Sequence, residues 1–114
     1  MKIRKRNGAA EEYRREKITR VIQLAFESVG MNEAGAEVTR LAADIEDKLL
    51  ARDEELVPVE SIQDLVEAEL MVAGHYEAAK SFILYRNERS RARAAREQLL
   101  AQFEQRRELE QALR

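Results

Sequence analysis

From Arg15 onward the chain carries one proline and three glycines, and its apolar residues return every three or four positions. Such a pattern buries itself as a set of amphipathic helices, so the places where it breaks decide the fold. Ile18, Val21, Ile22, Ala25 and Val29 fall at i, i+3, i+4, i+7 and i+11, and Gly30 closes that helix. A second helix is predicted after Asn32, a good N-cap, with Val38, Leu41, Ala42, Ile45 and Leu49 on one face. Arg52 to Val59 interrupts the period. There Pro58 drives Val57 towards extended backbone and predicts a short edge strand. The third helix runs from about Glu60, with Ile62, Leu65, Val66 and Leu70 inward and Gly74 as its C′ residue.

The fourth helix starts near Tyr76 and meets no breaker before the last residue. Tyr76, Ala79, Phe82 and Ile83 are its predicted core positions. Beyond Arg86 the apolar pattern thins to Ala92, Ala95, Leu99, Phe103, Leu109 and Leu113. At 1.5 Å per residue a helix from Tyr76 to Leu113 measures about 55 Å. A globule of about 100 residues has a radius of gyration near 13 Å, so the tail is expected to protrude, fold back or pair. Its leucines point to self-association or docking.

Ahead of the helices stands a different signal. Lys2-Ile3-Arg4-Lys5-Arg6, Asn7-Gly8 and Ala9 to Tyr13 predict a β-hairpin. Asn-Gly suits a two-residue type I′ turn, whose twist matches the flanking strands. The flanks are polar, so the hairpin needs a surface to pack on, with Ile3 and Tyr13 as its apolar anchors. The expected fold is therefore α+β and mostly α: four helices, a hairpin and a third strand.

Composition removes several functions. With no cysteine, disulfide scaffolds, zinc ribbons, iron–sulfur sites and thiyl chemistry are excluded. No apolar run approaches the ~20 residues of a membrane span, and no signal-peptide core is present, so a soluble, cytoplasmic chain is expected. One histidine, His75, follows Gly74 and reads as structural. Nucleophile and metal motifs are missing, and carboxylate pairs such as Asp44/Asp47 and Glu67/Glu69 read as solvated helix faces. Neither a P-loop nor a Rossmann glycine pattern occurs.

Charge is polarised along the chain. Residues 1–20 hold eight basic and three acidic side chains, residues 21–85 four and fourteen, and residues 86–114 eight and five. Basic ends attract anions, or else they neutralise the acidic middle. Strand alternation puts Arg4 and Arg6 on one hairpin face, and Ile3 with Lys5 on the other. The second face, with Tyr13 and Lys17, offers apolar surface beside two ammonium groups, next to a helix N-terminus that favours phosphate. The alternative is an ordinary charged edge hairpin protected against aggregation. Nucleic acid is disfavoured, because the hairpin lacks interleaved aromatics and no helix-turn-helix stands out.

Three ordered signatures are more specific. Lys5-Arg6-Asn7-Gly8, Glu11 and Glu16-Lys17-Ile18 resemble the opening of the ATP-cone domain, Lys-Arg-Asp-Gly followed by Asp/Glu-Lys-Ile. Val57-Pro58-Val59-Glu60-Ser61-Ile62-Gln63-Asp64-Leu65-Val66-Glu67, followed by Leu70-Met71, is similar to the family's middle signature. Tyr76-Glu77-Ala78-Ala79-Lys80-Ser81-Phe82-Ile83-Leu84-Tyr85-Arg86 resembles its closing one. The resemblance spans residues 2 to about 89. It implies a domain over 1–89, with 90–114 as a charged helical extension. The family fold is a four-helix bundle capped by a small three-stranded sheet, here with an extended last helix.

ATP-cones bind ATP or dATP between the hairpin lid and the bundle, with Mg²⁺ on the nucleotide phosphates. They occur mainly on catalytic subunits of ribonucleotide reductase, and also on some radical-generating subunits and a zinc-ribbon repressor. ATP permits the active assembly, and dATP drives an inhibited oligomer. The resemblance thus implies a non-enzymatic regulatory module, excised from a longer chain or encoded alone, with a reductase subunit and further copies of itself as partners. Carried over residue by residue, Lys5, Arg6 and Lys17 would hold phosphates, assisted by Arg20, and Arg4 would also belong to the nucleotide-binding set. Glu11 would lie near the nucleoside, with Ile3, Tyr13 and Ile18 on the base or lid. Val59, Ile62 and Gln63, with Tyr85 and Arg86, would form the far wall. Arg14 stands where the family usually has Asp or Asn near the nucleoside, and Val59 where it can have Thr. A competing reading is an interaction module without nucleotide, acting through the long C-terminal helix.

Overall fold

The structure, a computed structural model, describes residues 1–113. Arg114, the last residue of the extension read above, lies outside the described residues. The element order is β1 (Lys2–Arg4), β2 (Ala10–Glu12), α1 (Arg15–Ser28), α2 (Gly35–Ala51), β3 (Leu56–Pro58), α3 (Val59–Val72) and α4 (Tyr76–Ala112). The fold is α+β and mostly α, with four helices, a three-stranded sheet and a long last helix. The chain forms two compact units, one from Met1 to Phe82 and one from Ile83 onward.

In the first unit the sheet has the order β2-β1-β3. β1 and β2 are antiparallel, setting Lys2 against Glu12, Ile3 against Glu11 and Arg4 against Ala10. β3 runs parallel to β1, with Ile3 opposite Val57. Strands of three residues do not stand alone in water. Burial of Ile3 and of the fully enclosed Val57 fastens them to the helices, each contributing about 1.5–3 kcal/mol. The core beneath is built from Ile22 and Phe26 of α1, Leu41, Ile45 and Leu49 of α2, Val66 and Leu70 of α3, and Ala79 and Phe82 of α4. Val21, Val29, Ile62 and Leu65 pack half-buried at its margin, and Tyr13 seals the sheet end.

The helix stops fall where the glycines predicted them. At Gly30, φ is +83°, its N–H donates to Glu27 C=O at 3.0 Å, and Met31 N–H reaches Phe26 C=O at 2.9 Å. Gly74 (φ +84°) repeats this at α3, with Gly74 N–H on Met71 C=O at 3.0 Å and His75 N–H on Leu70 C=O at 2.9 Å. Both are Schellman closures. His75 then stands edge-on to Phe26, with ring centroids 4.8 Å apart.

Four local expectations are corrected. The hairpin turn has three residues rather than two: Lys5 N–H donates to Ala9 C=O at 2.8 Å, and Gly8 N–H to Lys5 C=O at 3.0 Å. Only Gly8 takes a positive φ there, and the Asn7 side chain instead accepts the Ala9 N–H at 3.0 Å. That local bond replaces the left-handed backbone a type I′ turn demands of asparagine. α2 begins two residues later than predicted, with Ala34 rather than Asn32 as its N-cap, because the closure of α1 draws Met31 back onto Phe26. Tyr76 is exposed rather than core, since the ring filling that corner is His75. Glu69 is buried rather than solvated, and Lys48 of α2 covers it with an ion pair.

The second unit is the remainder of α4. Its Leu99, Leu100, Phe103 and Leu109 side chains are each more than half exposed. Among the described residues, no helix is long and apolar enough to cross a membrane.

Candidate functional site

The hairpin register builds the first cluster. Because Ile3 and Glu11 are cross-strand partners, their side chains share the face that Ile3 buries, and Lys5 follows on that face by alternation. Lys17, on the first turn of α1, comes to the same point. Glu11 Oε1 accepts from Lys17 Nζ at 2.9 Å, and Glu11 Oε2 lies 3.2 Å from Lys5 Nζ. The two ammonium groups, Lys17 first, hold the Glu11 carboxyl below the usual carboxylate range. Both lysine side chains are at least half exposed.

A second contact ties the hairpin tip to α3. Arg6 Nη2 donates to Gln63 Oε1 at 3.1 Å, and Arg6 Nε lies 3.6 Å from Glu60 Oε1. Glu60 and Gln63 sit three apart on one helix face, which lets both reach one guanidinium. Glu60 was not among the expected site residues, although its i, i+3 relation to Gln63 is visible in the sequence.

A third contact closes the sheet against α2. Tyr13 OH donates to Glu46 Oε2 at 3.0 Å, and the Arg15 guanidinium pairs with the same oxygen. Burial, then the Glu46 bond, pushes the Tyr13 hydroxyl well above the usual tyrosine range. Arg15 in turn holds the Glu46 carboxyl low. No local pattern points to Glu46, because 33 residues separate it from Tyr13.

The remaining expected residues are placed as follows. Ile3 and Ile18 are buried in the core. Val59 and Ile62 are half-buried against that core at the start of α3. Arg4 and Arg14 are exposed; Arg14 is the N-cap of α1, and its side chain makes no capping bond. Arg20 is exposed beside Arg15, Glu16, Thr19 and Gln23, along an open groove of about 240 Å³. Tyr85 and Arg86 belong to the second unit, where Tyr85 is exposed. The structure therefore joins Lys5, Glu11 and Lys17 in one cluster, and Arg6 and Gln63 in another.

Known proteins match the same stretch. The chain is 45% identical over 108 residues to the ribonucleoside-diphosphate reductase subunit alpha of Treponema pallidum, covering 90% of this chain and 13% of that protein. It is 40% identical over 103 residues to the subunit of the same name from Chlamydia pneumoniae, covering 84% and 10%. An anaerobic ribonucleoside-triphosphate reductase of Haemophilus influenzae is 27% identical over 100 residues, covering 88% and 14%. The chain thus spans roughly a tenth to a seventh of these curated relatives. The ATP cone domain matches residues 1–91, which takes in the hairpin, all three strands, α1 to α3 and the opening of α4. With that match over most of its length, the chain belongs to the ATP cone domain family.

Proposed function

We propose that this chain is an allosteric module that binds ATP or dATP at the hairpin and thereby switches the activity and oligomeric state of a ribonucleotide reductase. The observation that carries the reading is the convergence of Lys5 and Lys17 on one anionic point between the hairpin and α1. Two ammonium groups within hydrogen-bond reach of a single carboxylate form a donor set that also suits phosphate oxygens. Arg6 adds a third cation at the hairpin tip, oriented by Gln63. Among the described residues, no group of three or more His, Asp or Glu side chains is placed to hold a metal ion. Mg²⁺ in this reading arrives on the nucleotide's own phosphates.

Lys5, Lys17 and Arg6 bind the polyphosphate, while Gln63 and Glu60 keep the hairpin tip over α3. Nucleoside discrimination falls to the exposed Arg14 and to Glu11, which is half-buried between the lysines. A switch requires that the two effectors favour different assemblies, because equal affinity for both states shifts nothing. ATP and dATP differ by one hydroxyl, so the module must convert that contact into about 1–3 kcal/mol of coupling. The assembly partner in this reading is a reductase catalytic or radical-generating subunit, together with further copies of the chain, in the cytoplasm.

Calorimetric titration with ATP and dATP in the presence of Mg²⁺ tests the reading. Lys17→Ala is expected to weaken both nucleotides about tenfold, since it removes a charge-assisted phosphate bond. No heat and no thermal stabilisation with either nucleotide would sink the proposal, because ligand at 100 times Kd adds about 2.7 kcal/mol. A second reading, self-association through α4 without nucleotide, is favoured by the exposed Leu99, Phe103 and Leu109.

A further inference from the structure

Glu11 occupies the point on which the binding lysines converge. Its placement follows from the backbone: cross-strand pairing with buried Ile3 aims its side chain at Lys5 and Lys17, whereas the adjacent Glu12 alternates to the other face and lies 4.0 Å from Lys2. Glu11 keeps only 29% of its side-chain surface exposed, while Glu12 keeps 71%. One carboxylate therefore engages both ammonium groups, one oxygen to each.

We propose that Glu11 is a built-in counter-ion of the phosphate site, which holds Lys5 and Lys17 in place without nucleotide and must be expelled from them when a polyphosphate binds. The proposal rests on the nucleotide reading above and adds a regulatory contact to it. Two consequences follow from Coulomb's law. The lysines are held together at the site before ligand arrives, which lowers the ordering cost of binding. Against this, an incoming phosphate must displace a carboxylate already paired with both lysines, which raises the affinity threshold. The site thereby rejects single small anions and responds to ligands with enough charge to replace Glu11 on both lysines at once. Polyphosphates have that charge; chloride and inorganic phosphate have less.

The test uses inorganic tripolyphosphate, which carries the charge of the nucleotide without base or ribose. Affinities for it and for ATP are measured calorimetrically on the full chain, on Glu11→Gln and on Glu12→Gln. Glutamine keeps the shape of each side chain, and thermal melts verify that both variants are folded. Glu11→Gln is expected to bind tripolyphosphate roughly fivefold tighter. Glu12→Gln removes the same charge one residue away on the other face and is expected to leave the affinity unchanged. Equal gains in both variants would reduce the effect to net charge and overturn the proposal. Unchanged or weaker tripolyphosphate binding in Glu11→Gln, with ATP still bound by the wild-type chain, would overturn it while leaving the nucleotide reading intact. Absence of ATP binding in the wild-type chain would remove the nucleotide reading and this proposal with it.

Discussion

Lys5, Glu11 and Lys17 show how side chains with no unusual chemistry are gathered into one cluster by strand register and the adjoining helix start. Glu11 and Glu46 are both partnered by cations, and both titrate below the usual carboxylate range. A depressed folded-state pKa contributes stability above the unfolded value, and that contribution is lost as pH falls through the folded one. The chain is therefore expected to lose stability as pH drops below the ordinary carboxylate range, in urea melts followed by circular dichroism. Site-resolved NMR titration should find the Glu11 carboxyl low in the wild-type chain and returned towards its ordinary value in Lys17→Ala. An unmoved Glu11 titration in that variant would separate the two residues. Tyr13 gives a second test at this scale, because its hydroxyl bonds Glu46 while its ring packs on the core. Tyr13→Phe should cost about 1 kcal/mol in denaturant midpoints, because Glu46 keeps Arg15 and is not left without a partner. Unchanged nucleotide affinity in the same variant would assign Tyr13's hydroxyl to the scaffold rather than the ligand.

The helices depend on their ends, and three glycines test this with opposite signs. Gly30 and Gly74 hold positive φ, and a Cβ at either would meet nothing within 4 Å, so Gly→Ala there carries a backbone penalty alone. Each substitution should cost about 1–2 kcal/mol. Gly35 opens α2 with no positive φ and equally open space, so Gly35→Ala should instead stabilise by about 0.4–1 kcal/mol. Denaturant midpoints of the three variants, with unchanged slopes, check the signs. These stops were legible in the sequence because glycine punctuates a 3.6-residue period, and the same period exposed the inward faces of α1, α2 and α3. Asn32, Tyr76 and Glu69 were not, since each is decided by a partner distant in sequence: the α1 closure, the His75 ring and Lys48. The site divides the same way. Ile3, Lys5 and Glu11 follow from hairpin alternation, and Lys17 from the helix that starts beside it. The Arg6–Gln63 and Tyr13–Glu46 contacts join residues 57 and 33 apart, and no local pattern encodes them.

Across the whole molecule, the basic N-terminal segment is used in two ways. Arg6 and Arg15 reach acids of the middle segment, Glu60 and Glu46, while Lys2, Lys5 and Lys17 pair with acids of their own segment. Neutralisation of the acidic middle therefore accounts for part of the charge, and the lysines are neutralised within their own segment. The second unit has its own polarity. Residues 86–96 carry five arginines and one glutamate, whereas residues 97–113 carry four glutamates and two arginines. Ala92, Ala95, Leu99, Phe103, Leu109 and Leu113 lie within one helical face. Two copies packed in parallel would align their arginine-rich halves and repel; packed antiparallel about Leu99, they oppose unlike halves and set Ala95 against Phe103. An isologous pair of this kind closes on itself, as most small homodimers do. The prediction is a monomer–dimer equilibrium of the full chain in sedimentation experiments over the micromolar range. The Leu99→Glu/Phe103→Glu double variant should remain monomeric there while keeping the wild-type affinity for ATP, because neither residue belongs to the first unit. A wild-type chain that sediments as a monomer throughout that range would reject pairing through α4.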